Sequence, residues 1–136
     1  MLRHLRTFTP LIAGLIVLSV GIFFGVWWNL YDYIPHLDKI LHILGGVTAA
    51  WFVLALMQRE ITHMGAWKQT LILVSISALI GVVWEWAEFA SNYAQYSHPI
   101  WYFYFHGGDL ADTMIDLAAD TVGALLLTAW ALYKER

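Results

Sequence analysis

Asp38 and His42 stand four residues apart, Glu85 and Glu88 three apart, and Asp112, Asp116 and Asp120 four apart in series. On a helix those spacings place side chains on one face, so each set is a stripe of carboxylates, one of them carrying an imidazole. Oxygen donors with one or two imidazoles suit a hard or borderline divalent metal ion: Mg²⁺, Mn²⁺, Ca²⁺, Fe²⁺ or Zn²⁺, one or two per chain. The same groups could instead hold and pass protons. As a site, Asp38, His42, Glu85, Glu88, Asp112 and Asp116 are the candidate metal ligands, and Glu85 and Asp120 the candidate catalytic carboxylates, one serving as general base. Two copies of Glu-x-x-His, the di-metal pattern of ferritin-like bundles, do not occur. Asp109, His98 and His106 rank as accessories, since Asp109 can cap a helix after Gly107 and Gly108 and the histidines can be loop residues.

The elements that must position these stripes are apolar. Of 136 residues 60% are hydrophobic and 12% charged, against roughly 45–50% and 25% in soluble domains. That is the composition of an all-α membrane protein, here a four-transmembrane-helix bundle in a single domain. The segments run from Pro10 to about Leu30, Lys39 to Met57, Gln69 to Ala90, and Leu110 to Tyr133, each near the roughly 20 residues a spanning helix needs. A secretory signal peptide is the alternative for the first, but its apolar run is long and Trp27 and Trp28 stand where a small-residue cleavage site belongs. Ser91 to Gly108 is rich in tyrosine, tryptophan and phenylalanine and suits a partly helical stretch at the membrane interface.

Lysine and arginine mark the orientation. Arg3 and Arg6, Arg59 and Lys68, and Lys134 and Arg136 flank three of the polar regions, whereas the other two connections hold only Lys39. The positive-inside rule then puts both termini in the cytoplasm and all three acidic stripes toward the outer side. Asp112 to Asp120 covers about 12 Å of helix, too deep for short side chains to reach the headgroups. An ionised Asp at mid-helix costs about 2.5–3.5 kcal/mol on insertion scales, so these acids should face a protein interior that holds protons or a cation. Basic partners are scarce there: Lys39, read as a solvated interface charge beside a possible cap at Asp38, and four histidines.

Other features take the plainer reading. Trp27, Trp28, Tyr31 and Tyr33 on one side and Trp67, Trp130 and Tyr133 on the other suit interfacial belts. Trp84 and Trp86 flank the acids as packing residues, and Gly45, Gly46, Gly81 and Gly123 let helices approach. No basic block points to nucleic acid, no internal repeat or linker divides the chain, and the absence of cysteine excludes disulfides and thiolate chemistry.

Asp38-Lys39-x-x-His42, Glu85-x-x-Glu88 and Asp116-x-x-x-Asp120-x-x-Gly123 resemble the VanZ-like membrane proteins over roughly Asp38 to Leu126. Gly108-Asp109-x-x-Asp112-Thr113-x-x-Asp116 is similar to the related YjdF-type inner-membrane proteins. Asp120 and Glu88 depart from the Asn and Gln usual in VanZ-like sequences, which adds acidity. The resemblance implies a small helical bundle in a prokaryotic inner membrane and carries over no reaction or substrate.

Three functions compete at this level. The first is a metal-dependent hydrolase or phosphoryl transferase acting on a membrane lipid or lipid-linked headgroup. The second is a proton- or cation-coupled carrier, for which four helices are few and a homo-oligomer is expected. The third is a non-catalytic accessory protein.

Overall fold

The computed structural model describes residues 2–28, 30–94 and 109–134, and within them the side chains of residues 8–24, 28, 30–90 and 109–134. Every described element is helical: α1 (Leu2–Val20), a run of π-helical turns (Gly21–Trp27), a single-turn α2 (Leu30–Tyr33), α3 (Leu37–Ile61), α4 (Ala66–Ala94) and α5 (Leu110–Lys134). Leu37–Ile61, Ala66–Ala90 and Leu110–Lys134 are each long and apolar enough to cross a membrane. A fourth apolar stretch, Phe8–Phe24, is shorter.

The first segment differs most from its expected Pro10–Leu30 span. Its helix starts at Leu2, keeps Pro10 inside, and widens into π turns at Gly21. Proline removes one backbone donor from the ladder but does not stop this helix, and Pro10 is buried. At the π segment the carbonyl of Gly21 accepts a hydrogen bond from the Tyr31 hydroxyl at 3.3 Å, so a side chain serves the ladder where its register changes. His36, at φ 64°, turns the chain from α2 into α3; histidine is among the residues that tolerate the left-handed region.

Most large apolar side chains point outward. Phe89, Trp67, Leu79, Leu126 and Tyr133 are all well exposed, the arrangement expected when lipid rather than protein is the apolar partner. Much of what is buried between helices is small or polar: Ala50, Ala119, Gly123, Ala124, Ser77 and Thr128. The hydroxyls of Ser77 and Thr128 donate to the carbonyls four residues earlier, at 2.7 and 2.8 Å, so neither leaves an unmet polar group.

α3 is the central helix, packed on α1, α4 and α5, and its closest partner is α5. Two glycines bring that pair together. A Cβ at Gly46 would strike the backbone of Asp120, and one at Gly123 the backbone of Ile43 and Val47. Their role as spacers therefore holds at backbone contact. A small apolar cluster of Val53, Ile61 and Leu73, with Leu54, Met57, Ile72 and Ile76 against it, joins α3 to α4 at the end opposite Asp38. The polar stripes occupy the other end.

A carboxylate site shared by three helices

The start of α3, the late part of α4 and the first half of α5 carry the acids, and the Gly46–Asp120 approach fixes their depth. Glu85 and Glu88 do not close their helix, because α4 continues to Ala94. Asp38 lies inside the first turn of α3 rather than capping it, since that helix begins at Leu37. Asp109 does cap: its Oδ1 accepts the backbone N–H of Asp112 at 3.0 Å, satisfying one of the orphan donors at the start of α5. His98 and His106, with most of the aromatic stretch, lie outside the described residues.

Lys39 is not a solvated interface charge. Its ammonium donates to Asp38 Oδ2 at 2.9 Å, to Asp116 Oδ1 at 2.7 Å and to Asp112 Oδ1. The physical reason is reach: Asp38 and Lys39 leave the helix in different directions, but four methylenes let the ammonium swing to where three carboxylates from two helices meet. All three Lys donors are used.

One turn deeper, His42 lies between the acids. Its Nε2 stands 3.7 Å from Asp38 Oδ1 and 3.8 Å from Asp116 Oδ1, and its Nδ1 stands 3.4 Å from Asp120 Oδ1. Asp116, Asp120, Glu85 and His42 are 2, 6, 7 and 8% exposed. One donor atom each from Asp38, His42 and Asp116 falls within 4.8 Å of the others. Separations of 3.7 and 3.8 Å are a few tenths of an ångström wider than the roughly 3.4 Å between two tetrahedral ligands that each bind one ion at about 2.0–2.2 Å, so the set would draw in slightly around an ion.

Of the candidate residues, Asp38, His42, Asp112, Asp116 and Asp120 are thus linked directly through one another or through Lys39. Glu85 is buried on the adjoining face of α4, with Thr113 of α5 against its carboxyl. Glu88 lies a turn further along, beside the Trp84 indole. Trp86, in contrast, is 68% exposed and turned away. Two oxygens, Glu85 Oε1 and Asp120 Oδ2, are buried with no hydrogen-bond partner among the described residues. A buried carboxylate oxygen in that condition is costly unless a proton or cation meets it.

Sequence reasoning missed three participants. Lys39 carried a signal, three residues before His42 and so on its side of the helix. Gly81, four residues before Glu85, does more than space helices: a Cβ there would run into the Asp120 Oδ2 atom, so its bareness makes room for the carboxylate. Tyr31 gave no signal beyond its type. It lines the site, half-buried, and burial together with Asp38, Glu88 and Asp116 pushes its phenol up to about 12. It is therefore a neutral hydroxyl at any physiological pH.

Beside the acids a cavity of about 400 Å³ lies between α1, α3 and α4, within the range typical of small-molecule pockets. Leu11, Leu15, Leu18, Leu41, Phe52 and Ile80 form much of its apolar wall, and Asp38, His42, Glu88 and Asp120 its polar part.

The chain belongs to a family of predicted membrane proteins (DUF2238), whose model matches residues 2–136. Searches of curated proteins and of solved structures find no match to it.

Proposed function

We propose that this protein is a divalent-metal site embedded at the outer side of a prokaryotic inner membrane, acting on a lipid or lipid-linked headgroup by hydrolysis or phosphoryl transfer. The observation that carries the reading is the junction of the Asp38, His42 and Asp116 donor set with a large apolar cavity. One accounts for reaction chemistry and the other for an acyl chain. Phe8–Phe24 completes a four-span bundle with both termini cytoplasmic, as the lysine and arginine placement favours.

Asp38, His42 and Asp116 would hold the ion, sharing Asp38 and Asp116 with the Lys39 ammonium, which also fixes Asp112. Bound there, an ion would supply Lewis-acid polarisation of a phosphoryl or ester oxygen and a more acidic water. Asp120 or Glu85, each with an oxygen unpartnered among the described residues, would take the water's proton as its oxygen attacks phosphorus or carbonyl carbon. The bond to the leaving oxygen breaks, and that proton passes to the departing alcohol. The balance is one water consumed per bond cleaved.

Elemental analysis of protein purified in detergent, wild type against Asp116→Asn, tests the premise. Stoichiometric metal in the wild type and its loss in the variant are expected. A wild-type protein that neither carries nor takes up any of the five ions refutes it.

A second reading, a proton or cation relay, draws on Glu85 Oε1 and Asp120 Oδ2, which would bind and release the transported ion. It predicts flux in proteoliposomes that falls in Asp120→Asn and requires no resident metal.

A further inference from the structure

The cavity wall has an unbalanced charge that the metal reading does not use. Among the described residues lining it, the acids Asp38, Glu88 and Asp120 stand against one imidazole and no lysine or arginine. Lys39 pairs with one of these, Asp38, and its other two donors go to Asp112 and Asp116, so Glu88 and Asp120 remain without a lysine or arginine among the described residues of the wall. Asp120 is more than nine-tenths buried, and its Oδ2 has no hydrogen-bond partner among the described residues. That oxygen lies against Gly81, itself part of the cavity lining. The rest of the wall is largely hydrocarbon, supplied by α1, α3 and α4.

A ligand complementary to both parts has a hydrogen-bonding cation at one end and an apolar chain at the other. A soluble metal ion matches only the first and a neutral acyl glycerol only the second. We propose that the cavity binds a single chain of a bilayer lipid whose headgroup carries a protonated primary amine, with Asp120 and Glu88 as acceptors of the ammonium. The Tyr31 hydroxyl, near Asp38 and Glu88 on the same lining, closes the headgroup end. Charge complementarity chooses the amine: an anionic headgroup would add negative charge to a wall already in excess of it. α1 and α4, two flanks of the cavity, carry exposed apolar side chains such as Leu15, Ile16, Leu79 and Val83, the surface that would meet the bilayer supplying the chain.

The proposal rests on the outward acidic site of the proposed function but not on its metal, so the two fail separately. The protein is equilibrated with vesicles of phosphatidylethanolamine and phosphatidylglycerol in equal amounts and with matched chains, then recovered in mild detergent. Retained lipid is measured by mass spectrometry and metal content on the same sample. Phosphatidylethanolamine should be retained about tenfold over phosphatidylglycerol, the ratio one charge-assisted hydrogen bond supplies. Glu88→Gln combined with Asp120→Asn should bring the ratio to parity. Glycerophosphoethanolamine, which has the amine but no chain, should not displace the lipid at equal concentration. Equal retention of both lipids by the wild type overturns the proposal, as does a preference that survives both substitutions. Displacement by the chainless amine overturns the assignment of the chain to the cavity. A metal-free protein that still selects the amine lipid leaves this inference standing and removes the hydrolytic reading.

Discussion

Lys39 of α3 donates to Asp116 Oδ1 of α5 at 2.7 Å. The same ammonium holds Asp38 and Asp112, so one side chain ties two parallel helices at the polar end. The Gly46–Asp120 and Gly123–Ile43 contacts lock them further in. The positive charge needed by the acids is thus partly intrinsic, and a bound ion must share Asp38 and Asp116 with it.

Replacing Lys39 by Met should therefore uncover three carboxylates at once. Removing one partner of a fully buried pair costs about 3–5 kcal/mol, and the Lys39 side chain keeps 22% exposure, so about 1–3 kcal/mol is expected. Thermal unfolding in detergent measures it. Added Mg²⁺ or Mn²⁺ should restore more stability to Lys39→Met than it adds to the wild type, because the vacated position is surrounded by oxygen. An unchanged melting temperature would mean the ammonium is held too loosely to matter.

The stripes themselves were legible from sequence because a spacing of three or four has one geometric meaning on a helix, and apolar runs of that length have one common environment. This is why residue type and spacing place Asp38 with His42, and Asp112 with Asp116 and Asp120, on common helix faces. Lys39 was misread because sequence adjacency says where a side chain leaves the backbone, not where a long flexible one ends. The π turns at Gly21–Trp27 and the helix beginning at Leu2 had no comparable periodic signal. The role of Gly81 depends on which atom of α5 lies opposite, a fact of packing that only the folded chain contains.

Glycine substitutions should separate packing from site. Gly123→Ala drives a methyl into the Ile43 and Val47 backbone, which cannot rotate away, so a loss of about 1–3 kcal/mol or more is expected. Gly81→Ala meets a carboxylate that can turn. It should lower stability less but displace Asp120, depressing any activity or flux in the way Asp120→Asn does. Gly65→Ala, with open space around its Cβ, serves as the neutral control. Unfolding midpoints for the three variants, measured together, decide whether the ranking holds.

Tyr31 makes the alkaline limb of stability testable. Its phenol is raised from 10.0 to about 12 in the folded chain by burial first and by Asp38, Glu88 and Asp116 next. Between those values the unfolded chain has lost the proton that the folded chain keeps. The unfolded state then binds fewer protons, and stability falls as pH rises. The contribution is complete below about pH 10 and lost through about pH 12. Tyr31→Phe should flatten that limb, and the difference in phenolate absorbance between wild type and variant should titrate late. A difference spectrum titrating near 10.0 would place Tyr31 in solvent.

Orientation can be settled directly because the chain has no cysteine, so single cysteines report without background. Tyr33, 77% exposed and between the first apolar stretch and α3, should lie outside the cell if lysine and arginine set the topology. His63, exposed in the turn between α3 and α4 and close to Arg59 and Lys68, should lie inside. In intact cells a membrane-impermeant thiol reagent should label Tyr33→Cys and spare His63→Cys until the membrane is opened. The reverse pattern would turn the acidic site toward the cytoplasm. The carboxylates would then meet cytosolic rather than external cations, and the source of lipid headgroups would be the inner leaflet. The geometry around His42 would be unchanged, but the substrates and ions able to reach it would not.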